Sequence, residues 1–360
     1  MNAFTQIIGF TVPFGLAMVL TFVLLPVWIS ICKKWHLFDE PDNRKHHVQL
    51  IPSMGGIAMF AGLCISFMVF AEITDHVKIR YIVAGSLILF FTGFFDDLMN
   101  IPASKKLMFQ IIAATVVYFG GFRIFTILGL ANIGDIPIII GYPLTIFIIA
   151  TFTNAYNFID GTDGLAASIG IVISASLGVM FLIVAKPDFA TFAFCLTGSL
   201  MGFLFFNFYP AKIFMGDTGS LFVGFTLIVM AIELYSTIVS APELNLNPAI
   251  VPAILFVPFF DIVRVTVIRL INGKSLFTPD RTHLHHKVMS FGFGHAGTTL
   301  LISTFTSSII ALQLLLNQYS MLTFLVVAIL YALLVTNYKF LSLLAAIRDK
   351  ISHALSSVKA

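Results

Sequence analysis

The chain has 360 residues, of which 59% are hydrophobic and only 10% charged; its formal net charge is +3 and its mean hydropathy +1.00. A soluble globular domain carries roughly a quarter charged residues, so this composition excludes a soluble enzyme and a disordered chain. It also excludes a nucleic-acid-binding domain, whose phosphate contacts need dense Lys and Arg.

What remains is an all-α, polytopic integral membrane protein in a lipid bilayer. Helical spans need about 20 apolar residues, and barrel strands would alternate polar with apolar, which these runs do not. In chain order, runs near 9–32, 53–71, 80–95, 107–121, 143–158, 165–185, 189–209, 219–239, 249–271, 297–316 and 321–337 predict eleven transmembrane helices. The first has no basic residue before it and no small-residue cleavage site, so it reads as a retained helix. Residues 122–142 form the longest connection on their side. Gly129, Gly134 and Gly141 punctuate β-branched runs there, which predicts a small hairpin. Beyond the last span, Phe340, Leu344, Ile347, Ile351, Leu355 and Val358 recur every three or four residues, with Arg348, Lys350 and Lys359 among them. That pattern predicts an amphipathic interfacial helix over 338–360. No repeat or linker divides the chain, so 1–360 reads as one transmembrane domain. The three cysteines, Cys32, Cys64 and Cys195, sit in apolar runs and read as buried thiols.

Orientation follows the basic residues of the short loops. The loops 33–52, 96–106, 159–164, 210–218 and 272–296, the adjoining helix ends and the C-terminal tail hold 16 of the 20 Lys and Arg residues. Lys78, Arg80, Arg123 and Lys186 remain for the other side. The basic-rich side is therefore expected in the cytoplasm, with the N-terminus outside and the C-terminus inside.

The unusual polar residues choose that same side. Asp96 and Asp97 close the third span; adjacent carboxylates repel unless a cation or proton lies between them, so the pair reads as a solvated helix end or as a metal site or base. Lys105 and Lys106 follow. The segment Asn154-Ala-Tyr-Asn157-Phe-Ile-Asp160-Gly161-Thr-Asp163-Gly164-Leu165 puts two Asn on one helix face before a glycine turn with open backbone. Helix capping by Asp163 leaves the other three polar side chains unexplained. Phe214-Met215-Gly216-Asp217 precedes the eighth span, where Asp217 between glycines suits a phosphate or a hard cation and Phe214 offers a face to a base. Asp261 lies in the inner half of the ninth span. Arg281, His283, His285 and His286 form a cluster that could bind zinc, clamp a phosphate or sense pH. With no Cys nearby and acids on the same face, a diphosphate clamp is preferred. His36, His76, His295 and His353 read as ordinary surface residues. Glu233, in the outer half of the eighth span, has no account from sequence.

Taken together, Asp96-Asp97 with Lys105 and Gln110, the Asn154–Leu165 segment, Phe214–Asp217 with Gly219-Ser220, and Arg281 with His283-Leu284-His285-His286 resemble the polyprenyl-phosphate N-acetylhexosamine-1-phosphate transferase family. His47, Pro52, Gly55 and Gly56 resemble its first cytoplasmic motif. The resemblance implies a bacterial inner-membrane enzyme, multi-pass, with its active site facing the cytoplasm. It implies transfer of a sugar 1-phosphate from a UDP-sugar to a lipid phosphate, release of UMP, and use of Mg²⁺ or Mn²⁺. The His-x-His-His pattern resembles the branch that uses UDP-N-acetylglucosamine and undecaprenyl phosphate. The muramoyl-pentapeptide branch has three consecutive His, which Leu284 interrupts here. Another UDP-N-acetylhexosamine or UDP-N-acetylmuramoyl-pentapeptide is the alternative donor, and a membrane transporter the alternative class. By position, the resemblance makes Asp217 a metal ligand with Asp97, and Asp96 and Asp97 metal-proximal groups or the base. Asp160, Asp163, His283, His285 and His286 join them as catalytic residues. Lys45, His47, Lys105, Asn154, Asn157, Phe214 and Arg281 become substrate contacts. The product would start a cell-envelope glycan such as O-antigen or teichoic acid. The reading allows a homodimer.

Overall fold

The computed structural model describes residues 3–38, 51–70, 76–126, 136–273 and 282–358. Among them the secondary structure is helical, with one isolated bridge between Phe38 and Pro52. The helices are α1 Ala3–Lys34, α2 Gly56–Phe70, α3 His76–Met99, α4 Ala103–Phe119, α5 Ile138–Ile159, α6 Leu165–Ile183 and α7 Pro187–Asn207. They continue with α8 Gly216–Ser240, α9 Ile250–Ile254, α10 Phe256–Ile271, α11 Leu284–Ser290, α12 His295–Leu315, α13 Met321–Val335 and α14 Tyr338–Val358. Every expected apolar run coincides with a helix.

Seven of these helices are long and apolar enough to cross a membrane by themselves: α1, α3, α5, α6, α7, α8 and α12. The others fall short for identifiable reasons. At 15 residues, α2 spans only about 22 Å. The run 249–271 is broken at Leu255, because Pro258 cannot donate to the carbonyl of Ile254 and its ring crowds that turn; α9 and α10 result. Between α13 and the start of α14 the axis bends by 54°, where Asn337 caps the new helix by accepting the backbone N–H of Lys339 at 2.9 Å. Of the expected hairpin, the described arms meet through one bond, Ile136 N–H to Phe125 carbonyl at 2.9 Å; residues 127–135 lie outside the described set.

The core is organised around α8, which is buried along almost its whole length against α2, α3, α5 and α6. The antiparallel α3 meets polar positions at both ends and in the middle of α8. Lys78 meets Glu233, the Ser86 hydroxyl bonds that of Thr226 at 2.8 Å, and Asp97 meets Asp217 and Thr218. These rungs fix the register of the two helices and so decide which residues face each other at either end. An apolar cavity of about 260 Å³ lies between α5, α8, α9 and α10, lined by Leu144, Ile148, Ile232, Tyr235, Val251 and Phe259 among others.

Candidate active site

The sequence motifs converge where α3 and α5 end and α8 begins. Asp96 and Asp97 point to different neighbours, since successive residues are about 100° apart around a helix. Asp97 caps α8. Its Oδ1 accepts the backbone N–H of Asp217 at 2.9 Å, and its Oδ2 accepts the N–H of Thr218 at 2.9 Å and the Thr218 hydroxyl at 2.6 Å. First-turn N–H groups have no intrahelical partner and carry partial positive charge, so a carboxylate is well matched to them. The close fit requires Gly216, which has φ +71° and whose missing Cβ would strike the Asp97 carboxylate.

Asp96 and Asp217 share one cation instead. Lys106 Nζ lies 2.8 Å from Asp96 Oδ2 and 2.9 Å from Asp217 Oδ2. Their remaining oxygens accept from fixed donors: Asp96 Oδ1 from the backbone N–H of Ile101 at 2.8 Å, Asp217 Oδ1 from the Asn157 amide at 2.9 Å. The three side chains stay 11%, 23% and 26% exposed for Asp96, Asp217 and Lys106 respectively. The cluster is therefore open on one side.

The two Asn residues divide their work. Asn157 donates to Asp217 and, at 2.7 Å, to the Ser220 hydroxyl. Asn154 exchanges two bonds with Gln110, at 3.1 and 2.7 Å, which ties α5 to α4. Lys106 and Gln110 are four apart and share one face of α4. Lys105 lies off that face and is exposed. Of the two lysines it is Lys106 that reaches Asp96 and Asp217.

Asp163 is buried and fastens the turn after α5. Its Oδ2 accepts the Ala211 N–H at 3.0 Å, its Oδ1 lies 3.2 Å from His295 Nδ1, and its carbonyl accepts the Thr299 hydroxyl at 2.8 Å. His295 corrects the sequence reading of an ordinary surface residue: its side chain is 13% exposed and stacks on Tyr209 at 5.4 Å. Asp160 is half-buried at the head of the same turn.

The histidine cluster stands beside that turn. Buried Asp261 organises it, with Oδ2 2.9 Å from His283 Nδ1 and Oδ1 accepting the Leu284 N–H at 2.9 Å and the Arg264 guanidinium at 2.8 Å. Arg264 also donates to the Thr282 carbonyl. His283 packs on Phe158 at 5.4 Å and on His285 at 5.9 Å, and His285 on His286 at 4.2 Å. His285 fills the space over Gly161, where a Cβ would come within 2.7 Å of its Nε2. Burial, reinforced by the adjacent His286, pushes the His285 imidazole down to about 3, so it works as a neutral ring. Phe214 is half-buried; its N–H donates to the Pro52 carbonyl and its carbonyl accepts the Gly55 N–H, both at 2.9 Å. Lys45, His47 and Arg281 lie outside the described residues.

The site thus brings Asp96, Asp97, Asn157 and Asp217 into one cluster and the histidines onto the adjoining turn. Residues 79–235 match the model of the family described as glycosyl transferase family 4. A probable undecaprenyl-phosphate N-acetylglucosaminyl 1-phosphate transferase of Bacillus subtilis (strain 168) is 32% identical over 301 residues, 82% of either chain. The chain belongs to glycosyl transferase family 4. The undecaprenyl-phosphate alpha-N-acetylglucosaminyl 1-phosphate transferase of Escherichia coli (strain K12) is 30% identical over 81% of this chain and 79% of its own. Its namesake in Yersinia pestis is 29% identical over 84% and 82%. As a family 4 member the chain is a transferase, and the match spans the Asp96–Asp97 pair, the Asn154–Leu165 segment and Asp217.

Proposed function

We propose that this transferase moves N-acetylglucosamine 1-phosphate from UDP-N-acetylglucosamine to undecaprenyl phosphate and releases UMP. The observation that carries the reading is the pair Asp96 and Asp217, brought together from separate helices around Lys106 and Asn157, in a chain whose relatives are named for this reaction.

Both reactants are anionic, so the work of the site is charge neutralisation and positioning. Hard cations commonly take one or two carboxylates and complete their shell with substrate phosphates. Among the described residues no group of three or more acids, His and Cys is set to hold a metal alone. Asp96 and Asp217 fit the partial set, for Mg²⁺ and equally for Mn²⁺. Such an ion would neutralise the diphosphate. Asp97 holds the first turn of α8 and with it the Asp217 backbone; Asn157 orients the Asp217 carboxylate. Asp96 stands next to the open side, where it can orient the acceptor phosphate or take its proton. His283, His286 and Arg281 are assigned to the diphosphate, with neutral His285 as their support. The acceptor phosphate attacks the β-phosphorus and UMP leaves, so the anomeric configuration of the sugar is retained. The apolar cavity beside α5 suits the isoprenoid chain. Its Ile148 is nine residues from Asn157, about 14 Å along the helix.

The sixteen-to-four distribution of basic residues supports eleven spans, with the N-terminus outside, the C-terminus inside and the site facing the cytoplasm of a bacterial plasma membrane. The amphipathic α14 then lies on the inner leaflet. The test is UMP release by detergent-purified protein given UDP-N-acetylglucosamine and undecaprenyl phosphate, with and without Mg²⁺. UMP that depends on both metal and lipid is expected. Turnover confined to a different UDP-sugar would overturn the donor, and silence with every donor in folded protein would overturn the reaction.

A further inference from the structure

We propose that Lys106 is a built-in counter-ion which occupies the cation position between Asp96 and Asp217 until the nucleotide arrives, and which the metal then displaces. The proposal rests on the metal reading above and concerns what the chain's own residues do toward that metal.

The oxygens of the three carboxylates can be followed one by one. Both oxygens of Asp97 are held by the first turn of α8. Asp96 Oδ1 is held by the Ile101 N–H and Asp217 Oδ1 by Asn157. These donors are backbone groups, the Thr218 hydroxyl and a short amide, all fixed on or beside helix ends, and they do not move away cheaply. The two oxygens left, Asp96 Oδ2 and Asp217 Oδ2, both accept from the Lys106 ammonium, at 2.8 and 2.9 Å. Lys106 is the one donor of the set on a flexible four-carbon stem, with three rotatable N–H groups and a compact charge. It is also the cation that, among the described residues, makes ion pairs with this cluster.

A divalent ion coordinated by these two oxygens must take the ammonium's place. Without nucleotide the exchange is unfavourable, because two carboxylates are a poor shell for an ion that dehydrates reluctantly. The diphosphate changes the balance by adding oxygen ligands for the metal and negative charge for the released ammonium. Metal and nucleotide binding become coupled through Lys106, and the coupling is reciprocal. The lysine then contacts phosphate, so one side chain serves in turn as counter-ion and substrate contact.

The experiment is Mn²⁺ binding, followed by loss of the free-ion electron paramagnetic resonance signal, in the detergent-purified full chain and its Lys106→Met variant. Each is measured with and without UDP-N-acetylglucosamine. The expected result is Mn²⁺ binding at least tenfold tighter in Lys106→Met than in wild type when no nucleotide is present, with nucleotide tightening it strongly in wild type and little in the variant. Equal or weaker nucleotide-free binding in the variant overturns the counter-ion, while nucleotide-dependent binding by wild type keeps the metal site. No Mn²⁺ bound by either protein, even with nucleotide, overturns the metal reading and the proposal with it. A second measurement needs no variant: in wild type, Mn²⁺ should tighten UDP-N-acetylglucosamine binding by the same factor, at least tenfold, by which the nucleotide tightens Mn²⁺ binding, and independent binding of the two sinks the proposal.

Discussion

Helix α8 carries an acid near each end, and the two acids live under opposite charge balances. Glu233 is 1% exposed, takes Lys78 at 2.8 and 2.6 Å on its two oxygens, and has Lys186 at 3.6 Å. One carboxylate faces two cations, each of which also lies over an aromatic ring, Phe122 and Phe189. Asp217 lies sixteen residues away, about 24 Å along the helix. There two carboxylates, Asp96 and Asp217, share one lysine, with the carboxylate of Asp97 alongside on the first turn of α8. The first set is closed: it has no use for another cation and ties the start of α3 and the connection before α7 to α8. The second set has an excess of negative charge and an open side. An acid within a membrane helix is by default a functional candidate. What separates the two ends is the count of partners, and it is the end with unmatched charge that suits the metal and phosphates of the proposed reaction.

The largest effect should come from breaking the unmatched end. Asp217→Asn keeps the Asn157 contact and the shape but removes the charge that pairs with Lys106. Turnover should fall about a hundredfold or more, comparable to losing one transition-state electrostatic group worth ~3 kcal/mol. UMP release per folded molecule reads it, and near-wild-type turnover would remove Asp217 from the site.

The matching cut at the closed end should act on stability instead. Glu233→Gln leaves Lys78 and Lys186 without their carboxylate in a half-buried setting. Removing one partner of a fully buried pair costs about 3–5 kcal/mol. With Lys78 28% and Lys186 36% exposed, water screens much of that and about 1–2 kcal/mol is expected. Thermal unfolding in detergent should shift down while UMP release per folded molecule stays within about twofold. A loss of turnover at unchanged stability would erase the distinction between the two ends.

Much of this division was legible in the sequence, and the rest was hidden for physical reasons. Runs of apolar residues marked the long helices, because a span must be apolar over its length, whereas the short α11 lay hidden among the histidines. The acids and amides of the site were visible because each is costly in such a chain. Their partners were not, since they come from helices far apart in sequence: Glu233 with Lys78 is a separation of 155 residues, and Asp217 with Lys106 one of 111. Asp97 looked identical to Asp96 until the register of α3 against α8 gave one of them a helix terminus to cap. His295 resembled any loop histidine until Tyr209 and Asp163 closed around it. Leu255 could not be seen as a break, because prolines are tolerated within membrane helices when neighbours compensate.

Acidification should sharpen the comparison at intermediate scale, through the histidine cluster. The His285 imidazole is held down to about 3 in the fold against an ordinary value near 6.5. The unfolded chain therefore binds a proton over that window that the folded chain does not. Stability is full above about pH 6.5 and is lost progressively as pH falls toward 3. His285→Gln keeps a neutral hydrogen-bonding side chain without the titration, so it should flatten unfolding temperature against pH below 6.5. An unchanged slope would show that another group titrates there.

The smallest effect is expected one residue away from the largest cluster. Lys105 and Lys106 are chemically identical neighbours, and composition or motif matching cannot rank them. Geometry does: Lys106 shares a face of α4 with Gln110 and reaches two carboxylates, whereas Lys105 is turned about 100° away and exposed. An exposed lysine is worth little to stability, and its charge acts on the cluster only through water, where it is screened within about 8 Å. Lys105→Ala should therefore leave UMP release within about twofold of wild type, with any loss confined to the apparent affinity for UDP-N-acetylglucosamine and vanishing at high salt. A severe loss of turnover that persists at high salt would mean that α4 rotates in the substrate complex and presents Lys105 to the phosphates. The mismatch of charge at that end of α8 would then be served by both lysines.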